Sequence, residues 1–267
     1  MANDPPTRVM LWTTARTRST ALELSLASVR SFEVFHELYT VAYVFGDDRA
    51  YIHPPEHIVS GYSYADVKGK LEQAYPGKEI VFAKDFAVCL NGNMENLPNG
   101  YLHTFLVRDP RTSVRSHYAI NRKILEDIER YDQKLYENLL SVSLSTFSDV
   151  KHLVDLYRHV TESLGQQPVV IDSDELFQSP REVLERYCRI TGIPFSESML
   201  NWTAGNIDHW PDVLKDPDMA ESYTAAIASS SYVNKASSYS DIELSKEMQS
   251  LVDSCVPMYQ ELIKFKI

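Results

Sequence analysis

The residues of this chain best suited to holding an oxyanion are arginines and hydroxyls that lead into helices. The stretch Ala15-Arg16-Thr17-Arg18-Ser19-Thr20 places two guanidiniums and three hydroxyls in succession, with no carboxylate among them. A loop that runs into a helix also offers free backbone N–H groups and the positive end of the helix dipole. Arg108-Asp109-Pro110 opens a second basic stretch, followed by Arg111, Arg115 and Ser116. The eight positions between Arg108 and Ser116 allow a guanidinium and a hydroxyl to converge on one phosphate. Taken singly, the first stretch favours an anion cradle over a capped helix start, whereas a solvated basic face explains the second equally well. Two neighbour pairs bear acid–base groups. His36-Glu37 suits proton abstraction near neutral pH, and in Lys84-Asp85 the ammonium can neutralise charge on a leaving group. A satisfied rim histidine and a surface or ion-paired lysine are the plainer readings of that second set.

The elements that must position these residues are legible as short apolar, β-branched runs alternating with helical patterns. Arg8–Thr13, Phe32–Phe35, Ile80–Ala83, Thr104–Val107 and Val169–Ile171 read as strands. Ser19–Val29, Tyr64–Ala74, Pro110–Asn121, a long stretch within Leu125–Leu164, Pro180–Thr191 and Asp241–Lys264 read as helices. Asp109-Pro110 and Ser179-Pro180 each put an N-cap acceptor before a first-turn proline, and Glu182 completes a capping box with Ser179. Strands alternating with helices predict a three-layer α/β fold: a central, mainly parallel sheet of about five strands, flanked by helices. Ligands of such sheets bind beyond the carboxyl ends of the strands. Arg16, His36, Lys84 and Arg108 all follow or end a strand, so they are expected on one rim.

Composition narrows the chemistry. Over 267 residues the net charge is −11, which argues against a nucleic-acid or anionic-membrane partner but permits a local basic pocket. No glycine precedes Gly46, which excludes a GxGxxG or GxxxxGK[ST] loop in the first strand–helix unit. The three cysteines, Cys89, Cys188 and Cys255, are far apart and form no metal-ligand spacing. No metal is expected, and the thiols fit a reducing, cytoplasmic setting. The apolar run after the polar N-terminus is too short for a signal-peptide core or a membrane span. With no repeat or linker, residues 1–267 are expected to form one domain.

The segment LWTTARTRSTALELSL (11–26) resembles the 5′-phosphosulfate-binding loop of the sulfotransferase superfamily. FLVRDPRTSVRSHY (105–118) is similar to that superfamily's 3′-phosphate motif, and VVIDSDELFQSPREVLERYCRITGIPF (169–195) to its later strand–helix unit. The resemblance implies a P-loop-like fold of the soluble small-molecule type. It also implies 3′-phosphoadenosine 5′-phosphosulfate (PAPS) as donor, with metal-free, in-line transfer of a sulfuryl group to a hydroxyl or amine. By position, Arg16 would hold the 5′-phosphosulfate, with Thr17, Arg18, Ser19 and Thr20 supplying amides and hydroxyls. Arg108 and Ser116 would hold the 3′-phosphate, and Lys84 matches the lysine of a K-[ST]-H stretch. The pattern is broken in three places. Arg18 stands where glycine is usual, Phe86 replaces the K-[ST]-H histidine, and the C-terminal phosphate clamp is missing. Lys235 is the substitute expected for the clamp, and His36 with Glu37 for the base.

The expected reaction has Arg16 and Lys84 stabilising the departing phosphate while His36, assisted by Glu37, takes the acceptor proton. A small-molecule acceptor would lie among the aromatic segments 38–62, 124–146 and 201–239; a homodimer is left open. Three alternatives stand beside this one: an enzyme that sulfates and then eliminates, an ATP-dependent phosphotransferase using Asp85 for its metal, and a catalytically silent nucleotide-binding protein.

Overall fold

A computed structural model describes residues 5–52, 57–126, 141–233, 239 and 241–267. Strand β1 (Thr7–Thr13) leads into helix α1 (Ser19–Ala27), then β2 (Phe32–His36), α2 (Leu38–Phe45), α3 (Tyr64–Glu72) and β3 (Ile80–Phe86). β4 (Leu102–Val107) and α4 (Pro110–Glu126) follow, then α5 (Lys151–Glu162), β5 (Val169–Asp172), α6 (Ser173–Gln178) and α7 (Pro180–Thr191). One-turn helices occupy residues 212–227, and α8 (Lys246–Leu262) lies near the C-terminus.

The five strands run in the order β2-β3-β1-β4-β5, with every ladder parallel. The expected sheet and all five expected strands are therefore present. β1 lies at the centre because its interior is apolar throughout: Val9, Met10, Leu11 and Trp12 are all fully buried. Alternation then divides the core. Met10 and Trp12 face a cluster with α2, α3 and α5, whereas Val9 and Leu11 face one with α1 and α7. The result is helix, sheet, helix in three layers.

Register brings the functional ends together. Leu11 pairs with both Lys84 and Thr104, and His36 pairs with Lys84. The carboxyl ends of β1, β2, β3 and β4 thus open at one level.

The helix starts differ in how they are finished. Asp109 accepts the Arg111 N–H at 2.8 Å, as its place before Pro110 predicts. Ser179 makes no side-chain cap, and Glu182 pairs instead with Arg186 at 3.1 Å. The expected capping box is absent. The helix α2 was not expected. Its sequence, LYTVAYVF, is buried at every position, so it has no polar stripe from which a helical period is read. Its orphan N–H groups are met from outside: Asp85 accepts from Tyr39 N at 2.6 Å and from Thr40 N at 3.1 Å.

Candidate active site

The loop between β1 and α1 is held in a left-handed conformation without glycine. Arg16 and Arg18 have φ of 62° and 63°. A side chain in that region costs about 1 kcal/mol, and here the anchors of each residue offset it. Thr17 turns inward. Its hydroxyl lies 2.5 Å from that of Thr13 and donates to the Thr14 carbonyl at 3.1 Å, so Thr17 braces the loop rather than facing the rim. Arg18 reaches across to the end of β5. It pairs with Asp174, donates to Ser173 Oγ at 3.3 Å and stacks over Phe177 at 4.0 Å. Burial, with Arg108 nearby, lowers the Arg18 guanidinium to about 10, so it stays charged at neutral pH.

Arg16 and Arg108 meet on one side of this loop. Arg16 Nε donates to Ser116 Oγ at 3.3 Å, which links the first basic stretch to the second. Arg108 Nη1 donates to the Arg16 carbonyl at 3.0 Å, and its Nε lies 3.4 Å from Asp174. Burial, assisted by Arg108, lowers the affinity of Arg16 for its proton. Arg18 and Arg108 thus share the half-exposed Asp174 carboxylate, while Arg16 beside them is held by neutral groups, which leaves a local excess of positive charge in an acidic chain. Ser19 and Thr20 stand at the first turn of α1, whose N-terminus has no side-chain cap. The free amides, the hydroxyls and the charge excess together fit an anionic ligand.

The residues after β2 and β3 occupy a different level. His36, Glu37, Lys84 and Asp85 were expected on the open rim. Instead all four are buried, with Trp210 and Tyr223 lying over His36, Glu37 and Lys84. Lys84 Nζ pairs with Glu37, lies 3.6 Å from Glu23 and donates to Thr20 Oγ1 at 3.4 Å. Burial opposes the ammonium charge, but Glu37 and Glu23 outweigh it and raise the Lys84 pKa. His36 Nδ1 lies 2.5 Å from Glu23 Oε2, and its ring stacks on Trp210 at 3.7 Å between centroids, 3° from parallel. Its Nε2 makes no hydrogen bond and stands 3.8 Å from Glu37. Burial holds this imidazole toward its neutral form, against the pull of Glu23. Asp85 spends both oxygens on Tyr39 N, Thr40 N, Thr40 Oγ1 and Phe86 N and presents none to the rim.

Glu23 is a member of this buried cluster that sequence reasoning missed. It accepts from Trp210 Nε1 at 2.9 Å, lies 2.8 Å from His209 Nε2, and also engages His36 and Lys84. Burial opposes its ionisation, and His36, Lys84 and His209 overcome that, holding the carboxyl well below the usual carboxylate range. Its signal was present as a lone carboxylate inside the apolar run of α1. Ser222 and Tyr223 were also missed. The Ser222 carbonyl accepts from Arg16 Nη1 at 2.7 Å, and the Tyr223 hydroxyl donates to Glu37 Oε2. Nothing in their spacing marks them. Lys235 lies outside the described residues. Among the described residues, no group of three or more His, Cys, Asp or Glu side chains is placed to hold a metal ion, and no helix is long and apolar enough to cross a membrane.

Comparison with known proteins shows a fold similar to that of sulfotransferase domains. A family model described as "Sulfotransferase domain" matches residues 155–265. The sulfotransferase domain from the curacin biosynthetic pathway superposes with a TM-score of 0.50 at 13% identity, covering 94% of this chain and 98% of that one. The sulfotransferase domain of the Synechococcus PCC 7002 olefin synthase aligns over 95% of this chain and 96% of its own, with a TM-score of 0.49 and 16% identity. Two Arabidopsis thaliana proteins, branched-chain-amino-acid aminotransferase-like proteins 2 and 1, are 28% and 25% identical over 73% and 76% of this chain. The chain spans only about a third of their length, 32% and 33%. The fold is thus that of sulfotransferase domains.

Proposed function

We propose that this chain is a sulfotransferase that moves a sulfuryl group from PAPS to a hydroxyl of a small-molecule acceptor. The observation that carries the reading is the hydrogen bond of Arg16 to Ser116, which sets two basic stretches a hundred residues apart side by side at one edge of the sheet. The donor supplies an activated sulfuryl group and leaves as a phosphate. Arg16, the α1 amides, Ser19 and Thr20 hold its 5′ end; Arg108 and Ser116 hold its 3′-phosphate. Lys84 lies against Thr20 and so stands beside the 5′ end, where it neutralises charge on the departing oxygen. Glu37 takes the acceptor proton. The choice of Glu37 over His36 follows from the Tyr223 contact, because Glu37 already accepts an O–H hydrogen bond. His36, fixed between Glu23 and Trp210, keeps this carboxylate and Lys84 in place.

A thermal-shift titration with the donor product, 3′-phosphoadenosine 5′-phosphate (PAP), tests the site. At a hundred times its dissociation constant, PAP should stabilise the wild type by about 2.7 kcal/mol. Arg108→Ala should fold and lose most of that response. Equal responses from the two proteins, or none from the wild type, would refute the assignment.

A further inference from the structure

One turn of the chain touches both halves of the proposed site. The Ser222 carbonyl oxygen accepts from the Arg16 guanidinium at 2.7 Å, where an oxyanion would bind. The next side chain, Tyr223, carries its hydroxyl to Glu37, the carboxylate paired with Lys84. Its ring meets Trp210 edge to face at 5.1 Å and 72°, and His36 at 5.3 Å and 74°. Lys84 Nζ lies 5.9 Å from the ring centre. A phenol that served only as packing would not need a buried carboxylate. A phenylalanine would fill the same space without placing a hydroxyl on a charged group. The turn itself is slight: Glu221–Tyr223 is one 3₁₀ turn between four-residue helices, and its first residue, Glu221, and the Thr224 that follows it are exposed.

We infer that the Glu221–Tyr223 turn is an internal stand-in for the substrates, and that the acceptor replacing Tyr223 is an aromatic alcohol of the phenol class. The inference rests on the sulfuryl-transfer reading above. The turn withdraws to admit donor and acceptor, freeing Arg16 for the donor and Glu37 for the acceptor hydroxyl. The incoming phenol takes the aromatic wall of Trp210 and His36. Its oxygen forms a bond to sulfur as the bond from sulfur to the donor phosphate breaks. The phenolic proton passes to Glu37, and the electron pair of the broken bond leaves on the phosphate oxygen beside Arg16 and Lys84. Burial and Glu37 keep the Tyr223 hydroxyl protonated, as an acceptor hydroxyl is before transfer.

The test uses the full chain, its Tyr223→Ala and Tyr223→Phe variants, labelled PAPS, and two acceptors of matched size. p-Cresol reproduces the tyrosine side chain, and 4-methylcyclohexanol has the same outline without aromaticity. Tyr223→Ala should transfer label to p-cresol about tenfold faster than wild type, and about tenfold faster than to 4-methylcyclohexanol, since two edge-to-face contacts separate the acceptors. Tyr223→Phe, which keeps the ring but releases Glu37, should bind PAP more tightly than wild type and show the same acceptor preference. If Tyr223→Ala does not fold, Tyr223→Phe decides alone. PAP binding with no preference for p-cresol, or with rates unchanged from wild type, overturns the acceptor inference and leaves the donor reading standing. No PAP response in the wild type or in Tyr223→Phe overturns the donor reading and this inference with it.

Discussion

Lys84 is paired with the carboxylates of Glu23 and Glu37, and all three side chains are fully removed from water. Burying these charges is tolerable only while they remain paired. Lys84→Met should therefore cost about 3–5 kcal/mol, the penalty for stranding buried charge, and lower the melting temperature by many degrees. A melting temperature near that of wild type would mean the carboxylates find other partners. The motif residues Arg16, Arg108 and Ser116 were legible in the sequence because each lies at a fixed offset from a strand end. The inward turn of Thr17 was not, nor was the pairing of Arg18 with Asp174. Both depend on how the loop passes in three dimensions, and Asp174 comes from more than 150 positions away. The burial of His36 and Lys84 was hidden for a related reason: the residues that cover them, Trp210 and Tyr223, belong to segments with no regular pattern.

At the scale of elements, α2 is the instructive case. Its N-terminus is finished by Asp85 of β3, and Glu37, in a left-handed conformation at φ 49°, forms its N-cap position. Its far end closes on Gly46, where a Cβ would stand 2.1 Å from the Tyr62 carbonyl oxygen and 2.8 Å from Ala42 Cα. Both obstacles are backbone and cannot rotate aside. Gly46→Ala should thus destabilise the fold by about 1–3 kcal/mol, the range for forced overpacking, as read from denaturant unfolding. A loss below a few tenths would show that the α2–α3 connection shifts freely. The strands were readable because each is a compact apolar run, and α7 because its amphipathic stripe is clean. α2 was not, because a helix buried on all sides and rich in β-branched and aromatic residues carries neither signature.

Across the whole molecule, titration of buried groups sets the response to acid. Burial, with His159 nearby, lowers His103 to about 4, and its Nδ1 accepts from Trp12 Nε1 at 3.1 Å, a bond only the neutral ring can make. Burial and Arg16 lower His117 to about 3. Each folded value lies below the unfolded one near 6.5, so the stability these groups contribute is present above about pH 6.5 and is lost as pH falls toward 4. Each removes about 1.4 kcal/mol per pH unit in that window. Asp85 acts in the opposite sense. Burial and Glu37 raise it to about 7 despite its hydrogen bonds, so protonation on acidification favours the fold. His36, held neutral by burial as well, adds a third loss, so the histidines outweigh the single gain from Asp85 and stability falls on acidification. Unfolding measured from pH 6.5 to 4.5 should show stability falling steadily, and a flat profile would mean that the histidines gain protons without unfolding. The imidazole lying flat on Trp210 has an optical consequence as well. Excited indole gives up an electron to a protonated imidazole far more readily than to a neutral one, so the emission of Trp210 is coupled to the charge of His36 and of the groups around it. Trp12, beside His103, and Trp202 sit in other surroundings, which makes this one fluorophore an intrinsic gauge of the buried charge cluster.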